Sequence, residues 1–115
     1  MIGKKSIDHL KLKGAIKVQR ILVATDFSEH SGRAIPHAYG ILGAGGTVSL
    51  LHVAKRGEQR APIVERLEKL IPSEANVRRI CTELQTIEAD DTATAIRDAA
   101  DRFDADVICV GSHGH

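Results

Sequence analysis

Four apolar runs punctuate the chain, and between them hydrophobic residues recur at helical spacing. Val18–Ala24 (V-Q-R-I-L-V-A) is a β-branched run that ends at Thr25-Asp26. Thr47–Val53 (T-V-S-L-L-H-V) is introduced by Gly43, Gly45 and Gly46. Val77–Ile87 is more polar and partly alternating, as suits a strand nearer a sheet edge, while Val107–Val110 (V-I-C-V) is short and wholly apolar. Runs without alternation imply burial on both faces, the mark of a parallel sheet covered by helices.

The intervening segments read as helices. Ala34, Ala38, Ile41 and Leu42 share a face of the first, with Ser28 or Ser31 as N-cap and Gly43 as stop. Pro36 lies inside it and has no N–H to return to Gly32, which predicts a kink or a late start. In the second, Pro62 fits the first turn, and Ile63, Leu67 and Leu70 form the i, i+4, i+7 stripe. The third opens at Asp90/Asp91, whose carboxylates suit the helix dipole, and buries Ile96, Ala99, Ala100 and Phe103. This order, β-α-β-α-β-α-β, predicts an α/β fold: an open, mostly parallel, doubly wound, Rossmann-like sheet with helices on both faces. No repeat, low-complexity tract or linker divides it, so residues 18–115 are expected to form one domain behind a leader of residues 1–17.

The sequence stops at Gly111-Ser112-His113-Gly114-His115, directly after the fourth run. A loop leaving a central strand should lead into a covering helix, and none follows. The fourth strand is therefore expected to leave Val and Ile bare on one face, with the last helix and strand of the domain missing.

Composition narrows the class. With 115 residues, 43% hydrophobic and 27% charged, the chain reads as one soluble globular domain; at 3% aromatic, its core must come from Ile, Leu, Val and Ala. The net charge of +1 conceals +5 over residues 1–20 and −4 over the rest. A basic leader could touch nucleic acid or an anionic membrane, but no aromatic or motif accompanies it, and a solvated arm is the simpler reading. Its lysines leave no apolar run for a signal peptide, and nothing approaches a membrane span. Cys81 and Cys109 stand in apolar, strand-like runs with no C-x-x-C, so both read as small buried hydrophobes of a reducing compartment, which points to the cytoplasm.

Ligands of an open parallel sheet bind beyond the carboxyl ends of its strands. Three segments end there: Thr25-Asp26-Phe27-Ser28, His52-Val53, and Gly111-Ser112-His113-Gly114. Asp26 is suited to a ribose hydroxyl or a phosphate-bound Mg²⁺, and equally to capping a helix. The N-terminus of the following helix offers N–H groups to an anion. Val53 can present backbone N–H and C=O to an adenine edge, and Gly111 and Gly114 admit sugar and phosphate closely. A G-x-x-G loop is also a common turn. Dinucleotide and P-loop fingerprints are absent from the sequence.

Taken together, I-L-V-A-T-D-F-S at 21–28, V-S-L-L-H-V at 48–53 and A-D-V-I-C-V-G-S-H-G at 105–114 resemble the universal stress protein family over nearly the whole body of the chain. The resemblance implies an adenine nucleotide alpha hydrolase-like fold. It also implies ATP binding, possible with Mg²⁺, at Thr25, Asp26, Val53, Gly111, Ser112 and Gly114, a role in stress response, and a homodimer. Ala24 stands where many nucleotide-binding members have Pro, and the family's later Gly-[ST] is not in this sequence.

Other chemistries have less to stand on. His113 and His115 form H-x-H, yet no second cluster joins them, so no metal site is expected. His30 and His37 share a solvated helix face, and His52 on a buried strand reads as a hydrogen-bonded structural residue. No nucleophile elbow or paired carboxylates suggest an enzyme; slow ATP hydrolysis would need only a metal, Asp26 and a water. A nucleotide-independent interaction domain of the same fold is the alternative to a nucleotide-binding regulator.

Overall fold

The computed structural model describes residues 18–110, so the leader and residues 111–115, with Gly111, Ser112 and Gly114, lie outside the described residues. In chain order the elements are β1 (Arg20–Ala24), α1 (Glu29–Ile41), β2 (Thr47–Ala54), α2 (Arg60–Glu68), the single turn α3 (Glu74–Val77), β3 (Cys81–Glu88), α4 (Thr92–Phe103) and β4 (Val107–Val110). The four strands form one parallel sheet in the order β3-β2-β1-β4.

Side-chain alternation divides the core into two layers. Ile21 and Val23 of β1, Val48 and Leu50 of β2, and Val107 and Cys109 of β4 meet α1 and α2 on one face. Leu22 and Ala24, Leu51 and Ile108 point the other way and meet Ile96, Ala99, Ala100 and Phe103 of α4. The α4 stripe therefore falls where its spacing places it. Its start is fixed by Asp91, whose carboxylate accepts the Thr94 N–H.

Other expectations shift. The buried face of α1 is Ser31, Ile35, Ala38, Tyr39 and Leu42, one position round from the Ala34/Ile41 face, because the larger Ile35 and Tyr39 fill the space over the sheet. Pro36 neither delays nor divides the helix, which starts directly after its N-cap Ser28. It faces solvent, where water can satisfy the Gly32 carbonyl. The third strand begins at Cys81 rather than Val77. Residues 74–77 wind into α3 instead, and left-handed Arg79 (φ 58°) reverses the chain so that the Ile80 N–H bonds back to Ala75 O. Val77 ends outside the sheet and is 84% exposed.

Cys109 is buried as expected, but Cys81 is exposed, because β3 is an edge strand and Cys81 begins it. Nor is the fourth strand bare. Although β4 is the other edge of the described sheet, Val107, Ile108 and Cys109 are buried, with α1 covering one side and α4 the other. The tight approach before β2 requires glycine at Gly46: a Cβ there would stand 2.9 Å from Gln19 O.

Candidate functional site

The turn after β1 is built by short-range polar bonds. The Thr25 N–H prolongs the ladder to Leu51 O at 2.9 Å, and the chain then folds back through Asp26-Phe27-Ser28. Asp26 Oδ1 accepts the Ser28 N–H at 2.8 Å and the Ser31 hydroxyl at 2.9 Å. Because the single Ser31 proton goes to the carboxylate, Thr25 is the donor in its 2.8 Å contact with Ser31 Oγ. Thr25 Oγ1 in turn accepts the Phe27 N–H at 3.0 Å. A relay of hydroxyls thus ends on Asp26, and both hydroxyl residues, Thr25 and Ser31, are buried. Asp26 is in this respect a turn-forming residue, the structural role its sequence context left open.

Phe27 pays for this geometry with a left-handed backbone (φ 66°), uncommon for a bulky residue. Its ring is held by two neighbours: the Arg66 guanidinium of α2 lies 3.9 Å from the ring centroid, and the His52 imidazole has its centroid 4.6 Å away. Cation–π and stacking contacts offset part of the backbone strain.

At the end of β2 the two flanking residues face opposite ways. In a parallel ladder alternate residues turn their peptide groups to the same neighbour. Leu51 bonds to the β1 side through Thr25, so Val53 turns its N–H and C=O to that side too, where β1 has already ended at Ala24. His52 is buried, and its Nδ1 lies 2.9 Å from Thr25 O. A carbonyl oxygen only accepts, so Nδ1 carries the proton. Nε2 is also buried, with Glu58 Oε2 at 3.5 Å and no hydrogen-bond partner among the described residues. The turn that follows is closed by the Lys55 N–H to Glu58 Oε1 at 2.7 Å and the Glu58 N–H to Lys55 O at 3.1 Å. That first bond, seconded by His52, holds the Glu58 carboxyl below its usual range.

These turns border one cavity of about 280 Å³. Ala24, Val53, Ile96 and Val110 form its apolar wall; Asp26, Lys55, Glu58 and Thr92 supply polar groups at its edge. It opens at the carboxyl ends of the strands where the winding reverses, since β2 follows β1 on one side and β4 joins it on the other. Thr25, Asp26 and Val53 are therefore brought together as the sequence suggested, although the Thr25 hydroxyl is turned into the fold. Gly111, Ser112 and Gly114, outside the described residues, follow directly from Val110 on the cavity wall. Sequence reasoning missed Lys55, Glu58, Thr92 and Ile96. The turn residues Lys55 and Glu58, three apart just after a buried strand, were the available signal. Among the described residues no cluster of three or more His, Cys, Asp or Glu side chains could hold a metal ion, and no helix is long and apolar enough to cross a membrane.

Comparison with known proteins agrees with this geometry. The model of the universal stress protein family matches residues 17–115. Protein Rv1636 of Mycobacterium tuberculosis H37Rv superposes with a TM-score of 0.67 at 27% identity, covering 84% of this chain and 72% of that one. A universal stress protein family member from Burkholderia pseudomallei shares the fold at a TM-score of 0.63 and 20% identity, over 84% of this chain and 83% of its own. A universal stress protein solved in complex with cAMP shares it at 0.62 and 24% identity, over 79% and 70%. No curated protein matches the chain.

Proposed function

Since the chain belongs to the universal stress protein family, we propose that it is a regulatory domain that binds an adenine nucleotide, ATP, in the cavity at the carboxyl ends of β1, β2 and β4. The observation that carries this reading is the convergence of Asp26, the Val53 backbone and the apolar wall of Ala24, Ile96 and Val110 on one cavity at the reversal of the winding. A planar base fits between the apolar side chains, with its edge toward the peptide group that Val53 turns past the end of β1. Asp26 then stands where a ribose hydroxyl or a phosphate-bound Mg²⁺ would be met. A structural relative in complex with cAMP supports the choice of an adenine nucleotide. The family resemblance assigns Gly111, Ser112 and Gly114, outside the described residues, to the same ligand.

In this reading the chemistry is recognition without turnover, with Asp26 held in its turn by the Ser28 N–H and the Ser31 hydroxyl. In this reading the protein acts in the cytoplasm as a homodimer during the stress response, and nucleotide occupancy changes its partners. Titration of the chain with ATP-Mg²⁺ in a calorimeter tests the proposal. The expected dissociation constant is in the micromolar range, about −8 kcal/mol. Absence of heat at millimolar ATP would favour the nucleotide-independent interaction domain instead.

A further inference from the structure

His52 and Glu58 face each other across the rim of the cavity in an arrangement that neutral imidazole leaves unsatisfied. Thr25 O obliges Nδ1 to carry the proton, which leaves Nε2 as an acceptor. Yet Glu58 Oε2, another acceptor, stands 3.5 Å from that buried Nε2, which has no hydrogen-bond partner among the described residues. A second proton on the ring turns this opposition into a charge-assisted hydrogen bond.

We propose that His52 and Glu58 form a protonation-dependent latch that ties the Lys55–Glu58 turn to the Thr25–Ser28 turn and thereby makes ligand binding in the cavity respond to pH. The effect on binding rests on the nucleotide reading above; the latch itself does not. With the ring charged, His52 donates to Thr25 O on one turn and to Glu58 on the other. Glu58 is then neutralised at the cavity edge, and an anionic ligand meets Lys55 without an opposing carboxylate. With the ring neutral, the turn is released and Glu58 repels the ligand.

The surroundings are consistent with such a balance. Glu58 and Lys55 come from the turn after β2, Asp26 from the turn after β1, Arg60 and Arg66 from α2, and Glu88 from the end of β3. Arg66 is occupied by the Phe27 ring and Arg60 by Thr86 O. Glu58 is the acidic group within reach of Nε2 among the described residues, and its low carboxyl range keeps it ionised wherever imidazoles titrate. The sign follows: the pairing is a gain by the histidine, so the latch is closed on the acidic side and opens as pH rises.

The test follows the His52 ring by NMR in the labelled chain from pH 5 to 8, with amide exchange of residues 55–58, in the protein and in Glu58→Gln. At pH 5 the Nε2 signal of the protein should show a hydrogen bond to a carboxylate, and in Glu58→Gln that signature should weaken. In the protein, exchange of the turn amides should slow about threefold toward acid, and in Glu58→Gln it should stay level. ATP affinity should be about threefold higher at pH 5.5 than at pH 8, beyond whatever change the variant shows for the ligand's own titration. The same Nε2 signal at pH 5 in the two proteins, or turn exchange indifferent to pH in both, overturns the latch. If ATP binds at neither pH while the NMR behaviour is as described, the latch stands and the nucleotide reading fails.

Discussion

Arg78 donates to the carbonyl oxygen of Tyr39 at 2.6 Å, closing the end of α1 from a turn 39 residues further along the chain. Its second terminal nitrogen donates to Leu42 O. The last turn of α1 holds no basic residue of its own, so its unsatisfied carbonyls are met from outside. The same device recurs at α4, where Arg20 of β1 donates to Phe103 O at 2.7 Å and stacks 4.1 Å from the Phe103 ring centroid.

Replacing Arg78 with alanine should therefore destabilise the fold by about 1.5–3 kcal/mol, the loss of hydrogen bonds from a charged donor. Arg78→Lys should restore less than half of this, because an ammonium cannot span two carbonyls as a guanidinium fork does. Urea unfolding of the three proteins measures the order; equal stability of Arg78→Ala and the parent would contradict the capping role.

Tyr39 offers a clean pH readout, being the one tyrosine of the sequence. Burial pushes its phenol above the ordinary value of 10.0, with the bond to Thr82 opposing. A raised folded pKa means that the stability linked to it is intact below pH 10 and is lost as pH rises through the folded value. Phenolate absorbance should thus appear above pH 10 and coincide with unfolding. In Tyr39→Phe, stability at neutral pH should fall by about 1 kcal/mol.

The two thiols should separate kinetically. Cys81 is exposed on the edge strand, whereas burial raises the Cys109 thiol and hides it in the core. A thiol reagent at neutral pH should modify one equivalent rapidly, and mass mapping should find it on Cys81. Modification of Cys109 should wait for denaturant, and rapid double labelling would contradict its burial.

At α4, the side-chain and backbone bonds from Thr94 hold the Asp91 carboxyl below its usual range. A depressed folded pKa stabilises above the unfolded value of about 3.9 and ceases to do so as pH falls through the folded one. Asp91→Ala should lower the melting temperature at pH 7, and the gap should narrow below about pH 4. A gap independent of pH would assign Asp91 no capping role.

Two substitutions at Asp26 distinguish charge from architecture. Asp26→Asn retains an oxygen to accept from Ser28 and Ser31, so its stability should stay within about 0.5 kcal/mol of the parent. Its ATP affinity should fall at least about tenfold, as expected for losing one charge-assisted contact. Asp26→Ala should lose both affinity and stability. If Asp26→Asn binds ATP like the parent, Asp26 serves the turn alone.

The strands most legible in the sequence were those buried on both faces. Ile21–Ala24 and Val48–Leu51 are buried throughout and apolar but for Ser49, and they occupy the sheet centre. The start of β3 was not legible, because Val77 continues a β-branched pattern while Arg78 is drawn to the end of α1. Likewise the α1 face turned toward Ile35 and Tyr39 because the room above the sheet favours larger side chains, a volume that spacing alone does not convey. Asp26 and Val53 could be named as site residues from their places at strand ends. Ile96 could not, since it reaches the cavity from a helix far along the chain, whereas the spacing of Lys55 and Glu58 after β2 was a signal that went unused.

By itself the sequence determined the alternation of strands and helices, the two central strands and the segments that leave them at one rim, because periodicity and turn residues act over a few neighbours. Tertiary structure alone decided which arginine closes which helix, where β3 begins, and that His52 faces Glu58 with its other nitrogen bound to Thr25. Those outcomes depend on distances between residues far apart in the chain, and they are set only when the sheet has assembled and its layers have closed.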